Sequence, residues 1–435
     1  MRNVMRNRVT RNEVMRILDG AEQARLVTAL AERGATDLAE VEPAVRRIVN
    51  DVRRNGDRAL RRYASRWDGL SKGEPLRVSE ADLQEAWERT DPELQDAIKQ
   101  AASNIRRYAE WQSPQASPES NEWRREIQPG VFVGQLVRPL ESVGCYVPGG
   151  RYPLPSTLLM TVIPAQVAGV KQIRVASPHP AQATLAAAAF LGVREFYRVG
   201  GAQAIAALAY GTEEIPRVDK IVGPGNRYVT AAKKLVAFDC AIEFLAGPTE
   251  ALIISADGDP ACIASDLVAQ AEHDPDALCI FVTTARRLAT KVQKEVRKRT
   301  RANPIAAQSL SRRGAILLVA SLDQAVEISN RIAPEHLTLP AVLAPAVQHA
   351  GAVFLDEFTP QAAGDYISGP NHVLPTGGMA RVRGGLSVLD FVRVIACQKV
   401  SREGIRRIAP PGIALANAEG LKGHAEAFRV RCSHA

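Results

Sequence analysis

The sequence predicts an α/β protein with two parallel-sheet units, framed by smaller helical modules at the N- and C-terminal ends. Two observations carry this. Between about residue 140 and residue 360, short β-branched runs alternate with alanine-rich helical stretches, the order in which strands pair in parallel. Before Trp111 and in the last 50 or so residues, apolar side chains recur at helical spacing instead. A chain of 435 residues is long enough for two or more domains, each with its own core.

In chain order, EPAVRRIVNDVRRNGDRALRRYASRWDG reads as amphipathic helix with a glycine near its end, and SPQASPESNE (Ser113–Glu122) reads as a surface loop. ESVGCYV, KQIRVAS, EFYRVGG and DKIVGPGN then read as buried strand ends. The stretches PSTLLMTVIPAQVAGV, AQATLAAAAFLG and AQAIAALAYG read as the helices crossing between them. A second series of strands follows in EALIISADG, ALCIFVTT, GAILLVAS, HLTLP and GAVFLDE. The expected division is a helical module at 1–35, a larger α/β domain made of 36–139 and 247–386, an α/β domain at 140–246, and a helical module at 387–435.

Composition narrows the function classes. An apolar share of 46% and a charged share of 23% are those of a soluble globular protein. No uninterrupted apolar run of about eighteen residues occurs, so no membrane span is expected. The arginine-rich start, MRNVMRNRVTRNEVMRIL, has no apolar core or cleavage pattern of a secretory signal, and Glu13 and Asp19 argue against an organelle transit peptide. Six scattered cysteines without a CxxC pair fit reduced thiols in a cytoplasm and argue against a cysteine zinc site. The net charge of +8 comes from arginines on helical stretches, interleaved with Asp51, Asp57 and Asp68. The dense basic run Lys291–Arg301 lacks aromatics for base stacking, so no nucleic-acid partner is expected.

Ligands of open α/β sheets bind beyond the carboxyl ends of the strands. Four glycine-rich turns are expected there: VPGG (Val147–Gly150), VGGAQA (Val199–Ala204), VGPGN (Val222–Asn226) and LAGPTE (Leu245–Glu250). Together they suggest a rim where backbone amides can approach a phosphate or sugar, although none completes a GxGxxG fingerprint.

Four of the seven histidines have chemically apt company; an isolated histidine is ordinarily a surface or satisfied core residue. Gln270 and His273, three apart in ASDLVAQAEHDP, share a helix face and could share a metal. Glu335 and His336, in RIAPEHLTLP, form a plausible pair of proton acceptors. Neighbours on a regular strand point to opposite faces, so both can act only from an irregular turn. Asp365 and His372 share AAGDYISGPNHVLPTGG, a costly loop to order and so one expected to bind rather than pack. Glu419 and His424, in NAEGLKGHAEAF, would lie about 140° apart on an unbroken helix, unless Gly420 and Gly423 bend it. One glutamine, two histidines and one aspartate offer the mixed nitrogen and oxygen ligation that suits zinc. Read alone, these residues indicate a metal-dependent α/β enzyme.

The strings GCYVPGGRYPLPSTLLM, VGGAQAIAALAYGT, IVGPGNRYVTAAK, DLVAQAEHDP, ISNRIAPEHL, AGDYISGPNHVLPT and NAEGLKGHAEAF, in this order, resemble the histidinol dehydrogenase family from end to end. The resemblance implies two Rossmann-like domains of incomplete dinucleotide-binding type and the four-electron oxidation of L-histidinol, via L-histidinal, to L-histidine with two NAD, closing histidine biosynthesis. It implies one Zn2+ per subunit, held by Gln270, His273, Asp365 and His424, with Glu335 and His336 as the acid–base pair. Tyr146, Gln203 and Asn226 match positions that contact NAD. Thr249, Gln270, His273, His336, Asp365, His372, Glu419 and His424 match substrate-contacting positions, Thr249 standing where the family commonly has serine. It also implies a cytoplasmic homodimer in which Glu419 and His424 enter the partner's site. Cys145 reads as a small packed residue rather than a nucleophile, because no base accompanies it. The alternative is a family relative that oxidises another small primary alcohol; retention of Glu419 and His424, suited to a cationic imidazole substrate, speaks against it.

Overall fold

A computed structural model describes residues 14–34, 38–113, 123–149 and 152–433. Most of the arginine-rich start, nearly all of the 113–122 loop, Gly150 of the VPGG turn and His434 lie outside the described residues.

The two series of strands predicted from the sequence form two parallel sheets. The larger has the order β1 (Arg16–Leu18), β11 (Ala315–Leu318), β10 (Leu278–Thr283), β9 (Glu250–Ile254), β12 (His336–Leu339) and β13 (Ala352–Leu355). The second has the order β6 (Glu195–Tyr197), β5 (Gln172–Ala176), β4 (Ser142–Tyr146), β7 (Lys220–Val222) and β8 (Ala241–Ile242). Every pairing within them is parallel.

Both faces of each sheet are covered, which is why the strands read as unbroken apolar runs. In the larger sheet, Leu252, Ile280 and Leu337 face the helices Gly20–Ala31 and Leu322–Ile332, while Ile253, Phe281 and Ile316 face Pro260–Ala271, Arg286–Arg299 and Pro304–Arg312. In the second sheet, Tyr146, Tyr197 and Ile221 face the helices Glu42–Trp67, Gly201–Tyr210 and Arg227–Val236. Cys145, Phe196 and Val222 take the other face, against Glu80–Glu88, Pro92–Gln112, Pro155–Ala168 and Gln182–Phe190. Cys145 is fully buried, and burial pushes its thiol up to about 12, as expected of a packing residue.

Three expectations need correction. The N-terminal module is not purely helical: β1 extends the larger sheet by pairing with β11, and three residues are too short to display a period. The helices of residues 42–112, grouped in the expected division with 247–386, instead bury their apolar faces on the helices that cover the five-stranded sheet and join its apolar clusters. The C-terminal module also begins with a strand. β14 (Val392–Val400) pairs antiparallel with β3 (Val131–Pro139), which pairs with β2 (Trp123–Gln128) in a third sheet. Most of β14 is exposed on both faces, so its sequence shows no apolar alternation. Beyond it, the helices Arg402–Ala418 and Lys422–Ser433 pack chiefly on each other.

Candidate active site

A cavity of about 1120 Å³ opens between the two parallel sheets. From the five-stranded sheet it takes the carboxyl ends: Tyr146 closes β4, Gly201 and Gln203 follow β6, and Asn226 follows β7. From the larger sheet it takes the amino ends, opposite to the expected rule. Thr249 precedes β9, and His336 opens β12. The helix Pro260–Ala271 runs back against its strands, so its last turn, with Gln270, arrives at that same amino edge. His273 lies just past the helix end, its N–H 3.4 Å from the Gln270 carbonyl, rather than on the helix itself.

The irregular turn needed before His336 is present. The helix Leu322–Ile332 stops at Ala333, whose φ of 52° is left-handed, and Pro334 follows. Glu335 therefore precedes the strand, and its carboxylate comes 3.6 Å from His336 Nδ1. The turn packs tightly enough that a Cβ at Gly351 would sit 2.6 Å from the Glu335 carbonyl oxygen, so only glycine fits there. Glu335 Oε2 accepts the Glu250 N–H at 2.8 Å, and His336 Nδ1 faces the Glu250 carbonyl at 3.2 Å. The imidazole stacks on Phe354, centroids 5.8 Å apart.

His336 Nε2 is buried without a hydrogen-bond partner, 3.6 Å from Asp365 Oδ1 and beyond bonding range. A buried orphan nitrogen facing a cavity is poised for a group that arrives with the substrate. Burial pushes the Glu335 carboxyl up to about 8, against the lowering pull of His336 and the Glu250 N–H. Burial also opposes a charge on His336, but the Glu335 and Asp365 carboxylates outweigh it and raise the imidazole. At Asp365, burial alone would raise the carboxyl, but the facing His336 imidazole, with His372 and His273 nearby, holds it below the ordinary range.

Gln270 Nε2 donates to Asp365 Oδ2 at 3.0 Å. His372 spans from the Asp365 carbonyl (2.8 Å from Nδ1) to the Thr157 hydroxyl (3.2 Å from Nε2), and burial lowers its pKa. Gln270, His273 and Asp365 thus share one cavity with Glu335, His336, His372 and Thr249. Glu419 and His424 do not join them: both are exposed on the C-terminal helices and neither lines the cavity.

On the opposite wall, the Tyr146 hydroxyl accepts the Gly201 N–H at 3.1 Å, and burial pushes its pKa up to about 12. Asp68, which the sequence reading treated only as part of a solvated helix face, is buried there; it accepts the Gly200 N–H and Gln203 Nε2, each at 3.0 Å, and burial raises its carboxyl. Asn226 caps the helix Arg227–Val236 through the Tyr228 and Val229 amides, and the Gly223 amide donates to Glu243. The Gly200, Gly201 and Gly223 amides of these turns are therefore engaged within the chain. Other contributors had no sequence signal: Thr157 is an ordinary first-turn residue of its helix, and Trp67, exposed on the rim, stacks on Tyr63 at 5.0 Å.

Fold and site define an α/β enzyme with a buried carboxylate–imidazole pair beside clustered nitrogen and oxygen donors. The family profile described as histidinol dehydrogenase matches residues 31–432. The histidinol dehydrogenase of Methanothermobacter thermautotrophicus is 47% identical over 94% of this chain and 97% of its own length; that of Aquifex aeolicus is 46% identical over 92% and 95%. The crystal structure of histidinol dehydrogenase from Elizabethkingia anophelis superposes with a TM-score of 0.89 at 35% identity, covering 97% of this chain and 99% of that one. The chain belongs to the histidinol dehydrogenase family, NAD-linked oxidoreductases of histidine biosynthesis.

Proposed function

We propose that this chain oxidises L-histidinol through L-histidinal to L-histidine, passing a hydride to each of two NAD molecules in turn. The observation that carries the reading is the buried Glu335–His336 pair, facing a cavity whose other wall holds Tyr146, Gln203 and Asn226. In the first half-reaction His336 Nε2 takes the hydroxyl proton while the carbinol carbon gives a hydride to NAD, leaving the aldehyde, NADH and a proton. In the second, Glu335 accepts a proton from the water that adds to the aldehyde. The hydrate then gives its hydride to a second NAD, leaving carboxylate, NADH and two protons, one of them released by way of Glu335. His372, Thr249 and Glu419 are assigned to substrate contacts.

The donor set suits zinc: an amide oxygen, an imidazole and a carboxylate from Gln270, His273 and Asp365, with Asp365 already drawn toward its charged form. Bound there, zinc would supply positive charge that orients the substrate's amino and imidazole nitrogens.

His424 of the partner subunit is assigned as the remaining ligand, in a homodimer. The reading is supported by the exposure of Glu419 and His424 in their own chain. It is supported too by the apolar surface of the C-terminal module: Leu415 is 68% exposed, Val394 60% and Ile395 45%. Among the described residues no helix is long and apolar enough to cross a membrane, and all six cysteines are free; we assign the enzyme to the cytoplasm. The direct test is NADH formation with L-histidinol. Two NADH per L-histidine formed are expected, and no NADH above background from pure, zinc-loaded protein would overturn the reading.

A further inference from the structure

Arg33 stands just past the helix Gly20–Ala31, far in sequence from the acid–base pair, yet its guanidinium is buried and fully engaged. Nε and Nη2 donate to the two carboxylate oxygens of Glu250 at 2.8 and 2.6 Å, the two-pronged geometry of a strong charge-assisted pair. Nη1 donates to the carbonyls of Leu30 at 2.5 Å and Ile332 at 2.6 Å, and Nη2 reaches the Ala333 carbonyl at 3.4 Å. Glu250 Oε1 also accepts the Gly377 N–H at 3.1 Å.

Both ends of this pair grip backbone that carries a proton acceptor. Ile332 and Ala333 supply the last carbonyls before Pro334, Glu335 and His336, and Ala333 holds the left-handed φ of 52° that a residue with a Cβ adopts at a cost. A cation at a helix C-terminus is favourable, and here it ties down the turn as well. At the other end, the main chain of Glu250 gives its N–H to Glu335 and turns its carbonyl to His336 Nδ1. A buried ion pair adds little stability over apolar side chains of the same volume, so stability alone does not account for this one.

We infer that Arg33 and Glu250 are positioning residues for the reaction. They lock the 332–334 turn against the start of β9, and so aim the Glu335 carboxylate and His336 Nε2 into the cavity. This rests on the reading of Glu335 and His336 as proton acceptors. Misplacing a reacting group by about 1 Å can cost about a hundredfold in rate, whereas the cofactor wall stands on the other sheet and is untouched.

The test compares Arg33→Met, Arg33→Lys and Glu250→Gln with wild type, each zinc-loaded and checked for fold by circular dichroism, with Glu335→Gln assayed alongside. Arg33→Met and Glu250→Gln are expected to lose about ten- to a hundredfold in kcat on L-histidinol, with KM for NAD within about twofold of wild type. Arg33→Lys, which keeps the charge but not the fork, should recover part of the loss. A pair that serves stability alone would lower the thermal midpoint and leave kcat per folded site unchanged; that result overturns the inference. Should Arg33→Met not fold, Glu250→Gln decides, since its amide keeps the shape and one acceptor for Arg33. Full turnover by Glu335→Gln would instead overturn the reading of the acid–base pair. A crippled Glu335→Gln beside fully active Arg33 and Glu250 variants would overturn only the inference.

Discussion

Subunit mixing tests the shared site most sharply, because the two halves of the proposed constellation lie on different parts of the chain. Glu335 and His336 are buried and line one cavity with Gln270, His273 and Asp365, whereas His424 of the same chain does not line it. Take two inactive homodimers, His336→Ala and His424→Ala, dissociate them together and let them reassociate. If each site combines His336 of one subunit with His424 of the other, a hybrid dimer has one site with both lesions and one with neither. Random exchange makes about half of the dimers hybrids, and each hybrid has one intact site of two, so about a quarter of wild-type activity should return. The assay is NADH formation with L-histidinol, with hybrids verified by co-purification of differently tagged chains. A site built within one chain leaves a lesion in every site of every hybrid. Verified hybrids without recovered activity would therefore refute the reasoning.

Three further outcomes are expected. Glu335→Gln should lose turnover on supplied L-histidinal more severely than the first oxidation of L-histidinol, because only the aldehyde step uses water, while His336→Asn should impair both; equal losses for Glu335→Gln would show that its role is misassigned. Chelation should abolish activity and added zinc restore it, with the far-UV spectrum unchanged, because the apolar cores of both sheets hold without metal; full turnover by verified metal-free protein would contradict the ligand assignment. Lys233→Met should destabilise the five-stranded unit by about 3–5 kcal/mol in denaturant unfolding, since it leaves the buried Glu243 carboxylate, now 2.6 Å from the Lys233 ammonium, without its cation; a loss below about 1 kcal/mol would mean that water or a neighbour takes over.

The parts of the molecule that were legible in the sequence share a physical cause, as do the parts that were not. β9 and β10 are buried on both faces by local apolar runs, and a run such as EALIISADG or ALCIFVTT declares itself within a few residues. The irregular turn before Glu335 and His336 was legible because Pro334 marks it, and a carboxylate beside an imidazole made the pair a candidate. β14 was hidden because its stability comes from pairing with β3, distant in sequence, rather than from a buried face. The direction of the six-stranded sheet was not legible for a related reason. A strand's pattern shows that it is buried, not which of its ends meets the neighbouring unit, and only the assembled sheets put the amino ends of β9 and β12 against the carboxyl ends of β4, β6 and β7. Arg33 is the extreme case. One arginine near the end of an amphipathic helix is indistinguishable in sequence from the many that face water, and its burial depends on Glu250 and on the carbonyls of Ile332 and Ala333. Residues that carry the chemistry have to be unusual types in unusual company, and so can be found by reading. Residues that hold them in place need only a charge and a reach, and they emerge when the chain is folded.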